Sequence, residues 1–126
     1  MQEFFRKSIR ILLTHAAMNC VPIMAADVRN AYLQAPISEK HFIICGPEFG
    51  IENIGKKALI TRALYGGKFA GTDFWRHLKS CMKFLGFKSL CADPDVLMRE
   101  SVREDGITGY HKYVIFYTYY CLVISY

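Results

Sequence analysis

The chain lacks the cysteine and histidine spacings that hold a structural zinc ion or a set of disulfides. Its five cysteines (Cys20, Cys45, Cys81, Cys91 and Cys121) are odd in number and include no Cys-x-x-Cys pair, which argues against both kinds of cross-link. Each cysteine lies among apolar neighbours, so we predict buried free thiols in a reducing, intracellular compartment. The four histidines are isolated from one another, and a mixed His/Cys metal site is the weaker alternative.

Long apolar segments are also missing. Residues 1–10 are amphipathic and charged, unlike the basic start and apolar run of a secretory signal. The apolar stretch at residues 113–126 is shorter than the roughly 20 residues of a membrane-spanning helix, and its Tyr, Val, Ile and Phe residues favour strands. We therefore expect no membrane partner, with a membrane-associated hairpin at residues 113–126 as a weak alternative.

The residues that are present suffice for one small globular domain. Of the 126 residues, 52% are hydrophobic and 21% are charged, which excludes a disordered tail. The net charge of +5 is compatible with a phosphate-backbone partner but does not demand one. Because the lysines and arginines are scattered along the chain, an ordinary basic surface is the open alternative.

Hydrophobic periodicity predicts the elements of the fold. A helix is expected over residues 4–18, and a second helix is expected after a cap at Thr72 or Asp73, ending at Gly86. Short apolar runs predict strands at residues 21–26, 41–45 and 58–64, the first of them buried. Turns are expected at residues 93–95 and 104–106, followed by strands at residues 113–118 and 121–125. Helices and strands interleave, so we predict an α+β fold with a mixed or antiparallel sheet packed on helices.

Asp27 is the first candidate for chemistry, because it directly follows the predicted strand at residues 21–26. A carboxylate at a strand end can be presented to Mg²⁺, which prefers hard oxygen ligands and usually takes one or two protein carboxylates. From the residues alone, a helix cap or a turn position is the alternative.

Several segments carry a family pattern in a fixed order. They are Ala26-Asp27-Val28-Arg29-Asn30-Ala31-Tyr32-Leu33, Gly46-Pro47-Glu48-Phe49-Gly50, Arg62-Ala63-Leu64-Tyr65-Gly66-Gly67-Lys68, Trp75, Leu85-Gly86-Phe87-Lys88 and Ala92-Asp93-Pro94-Asp95. Each one alone is a weak signal, but in this order they resemble the reverse transcriptase of Ty1/copia-type retrotransposons.

The resemblance implies a partial polymerase palm, with part of the fingers, as a single domain over residues 1–126 without thumb, connection or RNase H. Asp27 would be the first catalytic, metal-binding carboxylate for Mg²⁺. Tyr32 would lie beneath the sugar of the incoming dNTP, and Gly66 and Lys68 would line the pocket for nucleotide and template. Plain core packing for Tyr32 and a solvated loop charge for Lys68 are the alternatives. The implied partners are an RNA/DNA primer–template and dNTP, with no stable protein partner.

The closing hairpin departs from the family. Its tip should carry two adjacent aspartates, but Tyr119 and Tyr120 stand there. A tyrosine, with an ordinary pKa of about 10, offers no anionic oxygen at neutral pH, and two-metal phosphoryl transfer needs carboxylates. We therefore expect an RNA-directed DNA polymerase that is catalytically inactive, or a non-catalytic nucleic-acid- or partner-binding remnant.

Three further expectations accompany this departure. Tyrosines suit a tight turn poorly, so the hairpin is expected to slip or open. Gly67 stands where the family usually has leucine, which should loosen the loop. Asp93 and Asp95 flank Pro94 and are expected to form a turn rather than to replace the missing metal ligands.

Overall fold

A computed structural model describes residues 2–117 and 120–125, and its contacts divide the chain into two compact units. Unit 1 comprises Met1–Arg29 and Ser80–Tyr126, and unit 2 comprises Asn30–Lys79. The helices are α1 (Gln2–Met18), α2 (Ala31–Gln34) and α3 (Ala70–Phe84), with 3-10 turns at Pro47–Phe49 and Ile51–Asn53. The strands are β1 (Ile23–Asp27), β2 (Pro36–Ile44), β3 (Lys57–Arg62), β4 (Lys88–Ser89), β5 (Val96–Val102), β6 (Gly109–Tyr117) and β7 (Tyr120–Ile124).

Unit 1 is built on an antiparallel sheet with the strand order β1-β7-β6-β5-β4. Unit 2 contains a second antiparallel pair, β2 with β3. The predicted α+β class is therefore confirmed, and the sheets are antiparallel rather than mixed. The expectation of a single partial domain stays a prediction.

The core of unit 1 lies between α1 and the central strands. Leu12 and Ala16 recur one helical turn apart, so both face the same way, and they pack with Val96, Ile115 and Ile124. Burying each of the large side chains stabilises the unit by about 1.5–3 kcal/mol. The helix predicted over residues 4–18 is confirmed.

β1 forms as predicted, but the prediction that it is buried is wrong. All five of its residues are exposed, including Ile23 at 45% and Met24 at 60%. β1 lies at the edge of the sheet and pairs only with β7 among the described strands, and its small Ala25 and Ala26 side chains contribute little to packing. The core is filled instead from the neighbouring strands.

The cysteines are free, as predicted, but most are not buried. Cys45 is buried, Cys121 is half-buried, and Cys20, Cys81 and Cys91 are exposed. Apolar neighbours in sequence do not bury a residue on the outer side of a helix or in a loop, which is where these three thiols lie.

α3 ends as predicted but begins earlier. Gly86, with φ of 84°, donates its backbone N–H to Lys83 O at 3.0 Å, and Phe87 donates to Met82 O at 2.9 Å. These two bonds form the common glycine-terminated helix end. The helix starts at Ala70, so the predicted cap at Thr72 or Asp73 is wrong: both residues lie inside the first turn.

The predicted turns are present. Val96 N–H donates to Asp93 O at 3.1 Å, while the Asp93 carboxylate accepts from Asp95 N–H at 3.0 Å and from the Ser8 hydroxyl. In the second turn, Gly106 N–H donates to Arg103 O at 2.9 Å. Asp93 therefore has the turn-forming contacts expected of it.

The strands of the closing hairpin are paired in register from Tyr113–Ile124 to Tyr117–Tyr120, so they are closed rather than slipped. Tyr119 lies outside the described residues. No helix in residues 2–117 and 120–125 is long and apolar enough to cross a membrane.

Candidate functional site

Asp27 is the last residue of β1 and lies directly opposite Tyr120, the first residue of β7. Tyr120 in turn lies opposite Tyr117, the last residue of β6. Side chains of directly opposed residues project from the same face of a sheet, with Cβ atoms roughly 4.5–5.5 Å apart. The structure therefore brings Asp27 and Tyr120 together in one row and adds Tyr117 to them.

This row borders a cavity of about 350 Å³ in unit 1. Its apolar lining includes Ile9, Leu122 and Ile115, and among the described residues Asp27 is the one acid that lines it. The two tyrosines are each 53% exposed, so their rings stand at the rim rather than in the core.

Cys121 also lines this cavity. Burial raises the pKa of its thiol, and the negative charge of Asp27 raises it further, whereas a hydrogen bond with the Ala26 backbone works in the opposite direction. With its pKa raised, the thiol is protonated at neutral pH and is a poor nucleophile. Across the described part of the chain, no three His, Cys, Asp or Glu side chains come close enough together to hold a metal ion.

Tyr32 lies in unit 2, on the short helix α2, and is half-buried. Its ring centroid is 4.7 Å from that of Tyr65 and 5.9 Å from that of Phe74 in an edge-on arrangement. Such aromatic pairs contribute about 0.5–1.5 kcal/mol beyond the area they bury. Tyr32 therefore packs against two aromatic rings within unit 2. Its role toward a nucleotide sugar stays a prediction.

Gly66 is the third residue of a tight turn in which Gly67 N–H donates to Leu64 O at 3.0 Å. Its φ of 85° is the conformation that a type II turn requires at this position. A Cβ atom built on Gly66 would meet nothing within 4 Å, so backbone conformation, not close packing, accounts for this glycine.

Gly67 has the opposite character. A Cβ atom there would come within 3.1 Å of Leu64 O, which is tight, so a larger residue would require the turn to shift. The turn is hydrogen-bonded on both sides, because Ala70 N–H also donates to Gly67 O at 3.2 Å. Although Gly67 has no side chain, backbone hydrogen bonds still hold this loop together.

Lys68 follows in the same loop, with its Nζ 5.2 Å from the centroid of the Phe69 ring. Both residues line a cavity of about 250 Å³ within unit 2, together with Leu64, Gly67 and the buried Asp73. Lys68 therefore borders a cavity whose lining does not include Gly66, and the roles of both residues toward nucleotide and template stay predictions.

Sequence reasoning missed Tyr117 and Cys121 as neighbours of Asp27. The missed signal is the hairpin connection: two-residue connections are the commonest in hairpins. With β6 ending at Tyr117 and β7 beginning at Tyr120, such a connection sets those two residues opposite each other. Taking Tyr119 and Tyr120 together as the tip hid this pairing.

Comparison with known proteins identifies the family. A family model described as reverse transcriptase (RNA-dependent DNA polymerase) matches residues 5–112. No curated protein and no solved structure matches the chain. The matched residues include Asp27, Tyr32, Gly66 and Lys68 and end before Tyr117 and Tyr120. Since the match covers most of the 126 residues, the chain belongs to the reverse transcriptase (RNA-dependent DNA polymerase) family.

Proposed function

We propose that this chain is a degenerate Ty1/copia-type retrotransposon reverse transcriptase whose palm region does not catalyse DNA synthesis. The ordered segments between residues 26 and 95 support the copia-type origin, and the family match over residues 5–112 supports the polymerase ancestry. The observation that carries the loss of activity is the pairing of Tyr120 with Asp27. A phenol stands where the family resemblance calls for an acid.

The chemical reason is the number of carboxylates. Two-metal phosphoryl transfer clamps the attacking and leaving oxygens between cations about 3.5–4 Å apart. Anionic oxygens offset the free-energy cost of removing water from Mg²⁺. In the part of the chain that the structure describes, Asp27 is the one acid in the lining of its cavity. One carboxylate does not fit a pair of metal ions, so we assign no phosphoryl-transfer step to this chain.

We propose the nucleotide-pocket roles of Tyr32, Gly66 and Lys68 as inherited features. The contacts of Tyr32 with Tyr65 and Phe74 support a fixed ring that could exclude a 2′-hydroxyl by bulk. The position of Lys68 beside a cavity supports a contact with phosphate.

Primer extension tests the proposal. With an oligo(dT) primer on poly(A) and either Mg²⁺ or Mn²⁺, the native chain should give no product above background. The same assay on Asp27→Asn is the matched control, because that variant removes the remaining acid. Synthesis by the native chain that disappears in Asp27→Asn would contradict the proposal.

Metal binding gives a second readout that does not depend on activity. The double variant Tyr119→Asp, Tyr120→Asp should bind Mn²⁺ more tightly than the native chain in calorimetric titration, and adding Asp27→Asn to it should weaken that binding. Equal Mn²⁺ affinity in the native chain and the double variant would refute the role given to the tip residues.

A non-catalytic nucleic-acid-binding remnant is the second candidate, favoured by the net charge of +5. Binding to an RNA–DNA duplex should then weaken steeply with salt and exceed the affinity of an unrelated protein of equal charge. An affinity no greater than that of the unrelated protein would exclude it.

A further inference from the structure

Four polar side chains share one face of the unit 1 sheet, at the end of β6 remote from Asp27. Tyr110 on β6 lies directly opposite Ser101 on β5, and Lys112 lies two residues further along β6, on the same face. The β6–β7 register, continued one residue beyond Tyr113–Ile124, sets Ser125 opposite Lys112. Seven residues separate Tyr110 from Tyr117, about 23 Å along a strand, so this cluster is distinct from the row at Asp27.

The other three side chains converge on the phenol of Tyr110. Side-chain hydrogen bonds with Ser101 and with Lys112 lower the pKa of Tyr110, and Ser125 and the positive charge of Lys112 add to this, against an opposing effect of burial. Lys112 Nζ also lies 5.5 Å from the centroid of the Tyr110 ring. The positive charge of Lys112 beside the ring favours the phenolate over the phenol.

Tyr110 opens onto a cavity of about 650 Å³. Pro22 and Val102 line it as apolar residues, and Arg103, Glu104 and Asp105 supply charges of both signs.

Asp105 is already committed to the turn. Its carboxylate accepts the backbone N–H groups of Ile107 at 2.9 Å and Thr108 at 2.8 Å. The Thr108 hydroxyl and these N–H groups hold its pKa at about 2. It therefore does not take the proton of Tyr110.

We propose that Tyr110 is a nucleophilic phenol that accepts acyl groups from small activated acyl donors entering this cavity, ahead of the more exposed tyrosines of the chain. In the transfer, the phenol oxygen forms a bond to the acyl carbon as the bond between that carbon and the leaving group breaks. With an acylimidazole, imidazole leaves and takes up the phenolic proton, so no further reactant is needed. This reaction does not involve Asp27 and is independent of the proposed loss of polymerase chemistry.

Acetylation by N-acetylimidazole tests the proposal on the full chain, with site-resolved rates measured by peptide mass spectrometry. Tyr65 is 55% exposed and Tyr117 and Tyr120 are each 53% exposed, whereas Tyr110 is half-buried. Exposure alone would make Tyr110 slower than these three. We expect it to react several times faster than each of them.

Variants separate the cluster from general accessibility. Ser101→Ala and Lys112→Met should each slow acetylation of Tyr110 several-fold and leave Tyr65 unchanged, while Lys112→Arg should retain most of the rate. The matched control is Lys79→Met, which removes a lysine that lies 4.8 Å over the Trp75 ring and should not affect Tyr110. The comparison of acetylation rates among the tyrosines of the native chain does not depend on whether any variant folds. Tyr110 reacting no faster than Tyr65, or a rate unaffected by Ser101→Ala and Lys112→Met, would overturn the proposal.

Discussion

Replacing Asp73 by asparagine should weaken unit 2 through the loss of one buried charge. The Asp73 side chain is 1% exposed and accepts hydrogen bonds from Ser38 N–H at 3.0 Å and from the Arg76 guanidinium at 3.1 Å. A hydrogen bond to a charged group contributes about 1.5–3 kcal/mol, and asparagine keeps an acceptor but not the charge. We therefore expect Asp73→Asn to lower the free energy of unfolding by about 1–2 kcal/mol at neutral pH.

The sign of the pH dependence follows from the same contacts. Burial raises the pKa of Asp73, but hydrogen bonds from Ser38 and the adjacent Arg76 outweigh it, so the pKa lies below the ordinary value of 3.8. A carboxyl group with a lowered folded-state pKa stabilises the fold above its unfolded pKa and loses that contribution as the pH falls through its folded pKa. The difference between the native chain and Asp73→Asn should therefore shrink in acid.

Chemical denaturation followed by tryptophan fluorescence measures this effect directly. Trp75 is the single tryptophan of the chain and lies in unit 2, two residues from Asp73. Arg76→Lys is the control: it keeps a positive charge beside the buried Asp73 carboxylate, and the Arg76 side chain is 66% exposed, so it should cost less than Asp73→Asn. Equal stability of Asp73→Asn and the native chain at neutral pH, or a difference that does not shrink in acid, would refute the assignment.

Two further predictions concern backbone conformation and a surface carboxylate. Gly66→Ala should destabilise unit 2 by about 1–2 kcal/mol because its φ is positive, whereas Gly71→Ala, inside α3 with open space around the new Cβ, should stabilise it by about 0.5 kcal/mol in the same denaturation assay. Asp105 should titrate with a pKa of about 2 in carbon-detected NMR, and Thr108→Val should raise that value by removing the hydroxyl donor; an unchanged titration would contradict the contact.

The parts of the fold that follow from local chemistry were predictable. α1 shows its apolar positions one turn apart, and Gly86 ends α3 because glycine alone adopts the left-handed conformation without strain. The burial of β1 was not predictable from its composition, because a strand is buried or exposed according to its place in the sheet order. The role of Asp73 was not predictable either, because its carboxylate does not cap α3 but accepts the backbone N–H of Ser38, a residue distant in sequence within unit 2.

Of the two candidate sites, one was predictable from the sequence and the other was not. Asp27 and Tyr120 could be expected to meet, because the order of the family's segments relates the first strand to the closing hairpin. Tyr110 lies in none of the family's segments, and its partners Ser101 and Ser125 come from β5 and from the residue that follows β7. Only the registers of β5 and β7 against β6 bring them to it.

The pairing of Asp27 with Tyr120 also relates stability to the proposed loss of chemistry. Like charges directly opposite each other destabilise a pair of strands, whereas aromatic residues favour strands. An acid at position 120 would therefore face Asp27 at a cost that is offset only when a cation lies between them. A tyrosine at that position removes the repulsion, which gives a physical reason why β1 and β7 stay paired as far as Asp27 and Tyr120. We propose that the tyrosine abolished metal chemistry. It is compatible with a closed sheet, because catalysis needs carboxylates on both strands and strand pairing does not.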